Sequence, residues 1–265
     1  MSEQQYANGQ LRVNVDATVK TITLYQPEKK NAINADMAHA LLSVMKESAQ
    51  DDCRVIILTG AAKDFCAGAD LDPRALAGAG IDVASFLKET YNPLILAMRG
   101  MDKPIIAKVR GVCVGIGWNF ALGCDLIYAT PNARFSQIFT RIGLSSDGGG
   151  SYFLWERLGH QRAFEMLAFH EQISGEQALE MNLVNGLFPE ETIDELVKEK
   201  ADLLANGPYL AIQRSKSNLR SAQNFGLEAA LTQEADNQGK NFISMDFMEG
   251  ISAFLQKRAA KFRGK

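Results

Sequence analysis

The chain has 265 residues, of which 46% are hydrophobic and 22% are charged, and its formal net charge is −3. This size and composition predict one large domain, or one domain with an appendage, and the charge argues against nucleic acids and acidic membranes as partners. The polar N-terminus lacks the pattern of a secretory signal, and the longest apolar run, residues 112–124, is too short to cross a bilayer. We therefore expect a cytoplasmic protein and interpret that run as a buried helix.

The first half of the chain alternates short apolar runs with amphipathic segments. Runs at 11–15 and 19–24 predict a hairpin, and Asn34 is a candidate N-cap for the helix that follows. Residues 75–80 are small and glycine-rich, which predicts a flexible loop. Apolar strands separated by helices indicate an α/β fold with a parallel sheet covered on both faces. The other elements predicted in this half are strands at 55–58, 105–109 and 126–129 and a helix at 82–101.

From about residue 148 onward the sequence predicts mainly helices. Three pairs of residues have the spacing of a capping box, in which a polar N-cap is followed three residues later by Glu or Gln. These pairs are Ser174 with Gln177, Thr192 with Glu195, and Asp246 with Glu249.

Two glycine-bearing segments follow two of the predicted strands. They are Phe-Cys-Ala-Gly-Ala-Asp-Leu at 65–71 and Gly-Val-Cys-Val-Gly-Ile-Gly-Trp-Asn-Phe-Ala-Leu-Gly-Cys-Asp at 111–125. Such junctions leave backbone N–H groups unpaired, and glycine lets a ligand come close to them. Two facing junctions could hold one oxygen between two N–H donors and so stabilise an enolate or a tetrahedral oxyanion. Two tight turns without a ligand remain an alternative, and a dinucleotide fingerprint is weak because Phe120 occupies the third glycine position.

These two segments resemble the crotonase (enoyl-CoA hydratase/isomerase) superfamily. The resemblance continues along the whole chain, through residues 26–33, Lys103-Pro104, Ile173-Ser174 and Lys257-Arg258. The stretch 139–149, Phe-Thr-Arg-Ile-Gly-Leu-Ser-Ser-Asp-Gly-Gly, looks most like the 1,2-epoxyphenylacetyl-CoA isomerase branch, which belongs to phenylacetate catabolism. The resemblance implies a crotonase-like spiral of ββα turns at 1–200 and a C-terminal helical trimerisation region at 201–265.

The resemblance also implies what the protein binds. We expect an acyl-CoA thioester substrate, with coenzyme A as part of the substrate rather than a cofactor, and a homotrimer or homohexamer. No metal or redox cofactor is implied, and the four cysteines lack the spacing of a zinc site.

Site residues are carried over from the family by position. The backbone N–H groups of Ala67 and Ile116 would form the oxyanion hole, and Asp70 is expected to fix its own loop. The loop 75–80 is expected to shape the acyl pocket. Residues expected to contact the coenzyme A part of the substrate are Lys29, Ala67, Gly68, Ala69, Asp70 and Lys257. Residues expected to line the acyl pocket are Trp118, Asn119 and Phe139.

The acid/base group distinguishes the reactions of this superfamily. The two glutamates of its hydratases would align with Asn119 and Phe139, so neither is present. Asp147 remains, and the isomerase branch carries its catalytic acid/base at this position. The residues alone favour a plain N-cap of the following helix for Asp147, and this role does not exclude the catalytic one. An apolar pocket would raise its pKa and a helix N-terminus would lower it.

We therefore expect an acyl-CoA isomerase in which Asp147 moves a proton. A hydratase in which Asn119 orients water, and a non-catalytic acyl-CoA-binding or RNA-binding protein of the same fold, are the alternatives. Dehalogenation by Asp147 as nucleophile is disfavoured because the matching tryptophan position holds Phe139 and the histidines lie outside the pocket motifs.

Overall fold

A seven-stranded sheet forms the centre of the computed structural model, which describes residues 3–71 and 82–265. The loop 75–80, for which flexibility is predicted, lies outside the described residues. The strands of this sheet are β1 (Gln4–Tyr6), β2 (Leu11–Asp16), β3 (Val19–Leu24), β4 (Val55–Gly60), β5 (Ile105–Val109), β7 (Leu126–Ala129) and β10 (Gly186–Leu187). Their order in the sheet is β1-β2-β3-β4-β5-β7-β10; the pairs among the first three strands are antiparallel and the other pairs are parallel.

A second, three-stranded sheet and the helices complete the α/β architecture. The small sheet consists of β6 (Val112–Val114), β8 (Arg134–Ser136) and β9 (Ile173–Ser174). The helices of the described residues are α1 (Ala35–Ser48), α2 (Val83–Glu89), α3 (Tyr91–Gly100), α4 (Ile116–Gly123), α5 (Gly150–Phe169), α6 (Gly175–Glu180), α7 (Ile193–Asn206), α8 (Tyr209–Phe242) and α9 (Met245–Leu255). None of them is both long and apolar enough to cross a membrane.

The predicted hairpin and the first helix are confirmed. Strands β2 and β3 pair from Leu11 opposite Leu24 to Asp16 opposite Val19. The side chain of Asn34 accepts a hydrogen bond from the backbone N–H of Met37 at 2.9 Å and thereby caps α1. The predicted strands at 55–58, 105–109 and 126–129 are also present, as β4, β5 and β7.

Two predicted helices are divided in the structure. The helix expected at 82–101 breaks at Thr90, whose backbone is not helical and whose Oγ1 donates to the carbonyl of Phe86 at 2.6 Å. The apolar run 112–124 begins as strand β6, turns at Gly115 (φ 56°, ψ −131°), and only then becomes α4. Its first three residues are extended because β6 pairs with β8, a partner distant in sequence.

One of the three predicted capping boxes is confirmed. Ser174 and Gln177 form it at the start of α6. Thr192 makes no capping hydrogen bond because its own backbone is already helical (φ −117°, ψ −8°). Helix α9 begins after Ser244, which caps it, and Asp246 instead accepts hydrogen bonds from the backbone of the C-terminal tail.

Apolar side chains cover both faces of the central sheet. On one face, α1, α3, α4 and α5 contribute to a large buried cluster, and on the other face α7 packs through Ile193, Val197 and Ala201. Helix α7 runs across residue 200, where the boundary of the C-terminal helical region is predicted. The exposed helices α8 and α9 follow α7 in the chain. The site segments 65–71 and 111–125 follow β4 and β5, at the carboxyl ends of the parallel strands.

Candidate active site

The two glycine-bearing segments lie side by side. The backbone N–H of Cys66 donates to the carbonyl of Val112 at 2.9 Å, and the N–H of Val114 donates to the carbonyl of Cys66 at 3.0 Å. A Cβ added at Gly117 would lie 2.6 Å from Cys66 Cβ and 2.8 Å from Cys66 O. A glycine at 117 therefore lets α4 begin directly against the first segment.

The N–H of Ala67 is not available to a ligand. It donates to the carbonyl oxygen of Lys30 at 2.9 Å. The prediction that Ala67 supplies an oxyanion donor is therefore wrong, because a backbone N–H already engaged at this distance has no proton left to give.

Ala69 is a residue of this segment whose N–H faces outward. The N–H of Ile33 donates to the carbonyl of Gly68, and the N–H of Asp70 donates to the carbonyl of Ile33, each at 2.8 Å. This parallel bridge pairs Ile33 with Ala69 and turns the N–H of Ala69 away from Ile33. Within residues 3–71 and 82–265, no group accepts a hydrogen bond from it.

Ile116 supplies the second outward N–H. It is the first residue of α4, where a backbone N–H has no acceptor within the helix and the helix dipole is positive. Its side chain is buried, and its Cδ1 lies where a Cβ on Gly148 would collide with it. The side chain is thus directed at the turn that carries Asp147.

Asp147 does not cap the helix that follows it. The N-cap of α5 is Gly149 (φ 82°), and no side chain makes a capping bond there. Asp147 Oδ1 is buried and has no hydrogen-bond partner among the described residues. Burial raises the pKa of Asp147 from 3.8 to about 6, and a hydrogen bond from its own backbone lowers it by less. Burial therefore outweighs that hydrogen bond.

Tyr91 on α3 is a buried phenol near this carboxyl. Its ring makes edge contacts with Phe86 and Phe120. Burial raises the pKa of Tyr91 well above its usual value, and the charges of Asp147 and Cys66 raise it further. Tyr91 is therefore neutral at any pH near 7, and nothing in the sequence pattern singles it out from other core aromatics.

The three residues predicted for the acyl pocket occupy different surroundings. Phe139 is nearly buried, and its Cζ lies 3.8 Å from a Cβ added at Gly115, beside the second segment. Asn119 is 0% exposed, and both ends of its side-chain amide are hydrogen-bonded within the protein, to the carbonyl of Asp147 and to Gln137. Trp118 is also 0% exposed and packs against Phe135 in the hydrophobic core, with ring centroids 5.5 Å apart. Trp118 is therefore a core residue in this structure.

The residues expected at the coenzyme A end are only partly brought together. Asp70 Oδ2 accepts hydrogen bonds from Lys29 Nζ at 2.6 Å and from Gln26 Nε2 at 3.2 Å, so it does fix its loop. Lys257 follows α9, and the tail beyond it is bonded to Arg54, at the opposite end of β4 from the site. Among the described residues, no three His, Cys, Asp or Glu side chains are grouped as metal ligands.

Gln137 is a site residue that sequence reasoning missed. It is 1% exposed, and its Nε2 donates to Asn119 Oδ1 at 2.8 Å. Its only sequence signal is its position two residues before Phe139, which does not reveal a contact with a residue 18 positions away.

Comparisons with known proteins identify relatives of this chain over nearly its whole length. Residues 14–265 match the family model described as enoyl-CoA hydratase/isomerase. A Rhodobacter capsulatus protein named "Probable enoyl-CoA hydratase" is 37% identical, with 96% of this chain and 98% of that protein covered. The 1,2-epoxyphenylacetyl-CoA isomerase of Escherichia coli is 35% identical, with 95% and 97% covered.

Solved structures agree with the sequence comparison. The crystal structure of an enoyl-CoA hydratase from Bacillus anthracis superposes with a TM-score of 0.91 at 26% identity, with 97% of this chain and 100% of that chain covered. With a matching family model, relatives above 30% identity and the same fold, the chain belongs to the enoyl-CoA hydratase/isomerase family of the crotonase superfamily, whose members act on acyl-CoA thioesters.

Proposed function

We propose that this protein is an acyl-CoA isomerase that shifts a proton through a thioester enolate. The observation that carries the proposal is Asp147, a half-buried carboxyl with one oxygen enclosed and unpartnered beside the segment that begins α4. By resemblance to the superfamily, the two glutamates of its hydratases would align with Asn119 and Phe139, which cannot transfer protons. A single carboxyl suits a reaction that removes a proton and returns it.

The thioester carbonyl oxygen would bind between the N–H groups of Ala69 and Ile116. For a 3-enoyl-CoA, the Asp147 carboxylate removes a proton from C2, and the electron pair moves onto the carbonyl oxygen through the conjugated system. The resulting dienolate is stabilised by the two N–H donors and by the start of α4. The Asp147 carboxylic acid then returns the proton to C4, so that the product is the 2-enoyl-CoA and the enzyme is unchanged.

The pKa of Asp147 fits both halves of this shuttle. A group with a pKa of about 6 is mostly ionised at neutral pH and so can accept a proton, yet it is acidic enough to release it again. One well-placed donor contributes about 10²–10³ in rate and a general base about 10²–10⁴. An ordinary enzymatic acceleration therefore needs Asp147 and both N–H groups together.

Hydration is the second candidate, and the name of the Rhodobacter capsulatus relative favours it. A hydratase without the two glutamates would need another group to bind the attacking water. Asn119 is poorly suited to this, because its Oδ1 accepts from Gln137 and its Nδ2 donates to the carbonyl of Asp147, each at 2.8 Å. The engaged amide supports isomerisation over hydration.

The acyl group of the substrate is either a 3-enoyl chain or an aromatic epoxide. The latter follows from the Escherichia coli relative named 1,2-epoxyphenylacetyl-CoA isomerase. We further propose a cytoplasmic homotrimer or homohexamer, supported by the large apolar side chains that α8 and α9 expose.

A substrate panel tests the proposal. The purified protein is incubated separately with a 3-enoyl-CoA, with crotonyl-CoA and with the epoxide of phenylacetyl-CoA. We expect turnover of the 3-enoyl-CoA or of the phenylacetyl-CoA epoxide. Bleaching of the conjugated thioester absorbance of crotonyl-CoA, without turnover of the other two, would instead identify a hydratase.

A further inference from the structure

Asn119 connects the start of α4 to the turn that carries Asp147. Its Nδ2 donates to the backbone carbonyl oxygen of Asp147 at 2.8 Å, and its Oδ1 accepts from Gln137 Nε2 at 2.8 Å. Gln137 Oε1 in turn accepts from Ser146 Oγ at 3.4 Å. Hydrogen bonds thus link Asn119, Gln137 and Ser146 into one network beside the backbone of Asp147. The side-chain amides of Asn119 and Gln137 are both buried.

Glycines allow the turn to approach this closely. A Cβ added at Gly150 would lie 2.5 Å from Asn119 Oδ1 and 2.6 Å from its Nδ2, and one added at Gly148 would collide with Ile116 Cδ1. Ile116 and Asn119 are three residues apart on α4 and therefore share one face of the helix. The turn is seated on the same face from which Ile116 directs its side chain.

The carboxyl group itself has no comparable anchor. Among the described residues, Asp147 Oδ1 has no hydrogen-bond partner, and the hydrogen bond that lowers the pKa of this carboxyl comes from its own backbone. The backbone carbonyl of Asp147, by contrast, accepts from Asn119 and from the N–H of Gly150 at 3.0 Å. The position of the carboxyl is thus set through the backbone, while its oxygen stays free to exchange a proton.

We propose that Asn119 and Gln137 are positioning residues that hold Asp147 at a fixed place relative to the thioester bound at Ile116. The inference rests on the proposed function. Asn119, at the position of a hydratase glutamate, then neither touches substrate nor orients water; it determines where the single acid/base lies. Misplacement of a reacting group by about 1 Å costs on the order of 10²-fold in rate.

The test compares Asn119→Leu with Gln137→Met and with a matched control. Asn119→Leu removes the donor to the Asp147 carbonyl, whereas Gln137→Met keeps that donor and frees the other side of Asn119. Asn237→Leu is the control, because Asn237 is another buried amide, and its Nδ2 donates to Asn218 Oδ1 at 2.6 Å in the C-terminal helix α8. All variants are assayed for kcat and KM on the substrate that the wild-type protein converts, across pH 4–9.

We expect Asn119→Leu to lower kcat by on the order of 10²-fold with KM nearly unchanged, and Gln137→Met to lower it less. We also expect the acid limb of the Asn119→Leu profile to move to lower pH, because a released Asp147 becomes more solvated. Among the described residues, Tyr91 on α3 is a titratable group that the charge of Asp147 affects, and it stays neutral throughout this range. Asn237→Leu is expected to lower the melting temperature without changing kcat or the profile.

Two outcomes distinguish this inference from the proposed function. If wild-type protein has no isomerase turnover, or Asp147→Asn retains it, the proposed function is wrong. The positioning role is wrong if the wild-type protein isomerises and Asp147→Asn does not, but folded Asn119→Leu and Gln137→Met keep the wild-type kcat and pH profile. Should Asn119→Leu fail to fold, Gln137→Met alone decides through the same two readouts.

Discussion

The side-chain amide of Asn119 lies 2.8 Å from the backbone carbonyl oxygen of Asp147. This hydrogen bond joins α4, whose first N–H faces outward, to the turn that carries Asp147. Asp147 is the carboxyl that, among the described residues, has a buried oxygen without a hydrogen-bond partner. The donor and the acid/base are thereby held next to each other, which is the arrangement that a proton shuttle on a bound thioester needs.

The rate should depend on the ionisation of Asp147. Only the carboxylate can remove the substrate proton, and burial raises its pKa to about 6. We therefore expect kcat to fall as pH decreases through about 6, rather than through about 4 as for an exposed aspartate. A pH–rate profile on the converted acyl-CoA measures this, and a flat profile between pH 4.5 and 7 would contradict the role of Asp147.

The same carboxyl should destabilise the folded protein at neutral pH. Because its pKa is higher when folded than the 3.8 of an ordinary aspartate, the folded state binds the proton more tightly, and stability falls as pH rises from about 4 to above 6. The difference corresponds to about 3 kcal/mol. Asp147→Asn cannot ionise, so its melting temperature should exceed that of the wild type at pH 8 and nearly equal it at pH 4.

Contact between the two glycine-bearing segments should be required for turnover. The Cβ of an alanine at Gly117 would lie 2.6–2.8 Å from atoms of Cys66, including its backbone oxygen. The nearest atoms to an alanine Cβ at Gly123 of the same helix are ends of the Ile95, Met98 and Phe153 side chains, at 3.2–3.8 Å. We expect Gly117→Ala to lower kcat/KM by about 10²-fold, as loss of one oxyanion donor does. Gly123→Ala should stay within a fewfold of wild type; equal activity of the two variants would argue against the paired donors.

The C-terminal helices should associate with other copies of the chain. Helices α8 and α9 expose many large apolar side chains, including Phe225, Leu227, Phe254 and Leu255, each more than 70% exposed. Such surfaces mark protein interfaces. Light scattering on the purified protein should give three or six times the 29.0 kDa of one chain. A monomer at micromolar concentration would contradict this prediction.

Local patterns in the sequence were sufficient for much of the fold. The cap at Asn34 and the apolar runs that became β4, β5 and β7 depend on neighbouring residues, and these predictions are confirmed. The strand within residues 112–114 could not be recognised, because its extended form depends on pairing with β8. The capping box predicted at Thr192 from its spacing to Glu195 is likewise absent. The backbone of Thr192 is already helical, and its side chain makes no capping hydrogen bond.

The site was less accessible to sequence reasoning than the fold. The segment that contains Ala67 was recognised, but the hydrogen bond from Ala67 to Lys30, which excludes its N–H, connects residues 37 positions apart. The bonds of Asn119 to Gln137 and Asp147 are long-range in the same way. A position in a motif identifies which backbone is near the ligand, but only the folded chain shows which of its protons are free.

Turnover of a 3-enoyl-CoA or of the phenylacetyl-CoA epoxide by Asp147→Asn, with binding of a saturated acyl-CoA measured in parallel, tests the central claim most directly. We expect the variant to bind the saturated thioester as the wild-type protein does and to lose at least about 10²-fold in kcat. Retention of wild-type kcat by a variant that still binds the thioester would show that Asp147 does not move the proton.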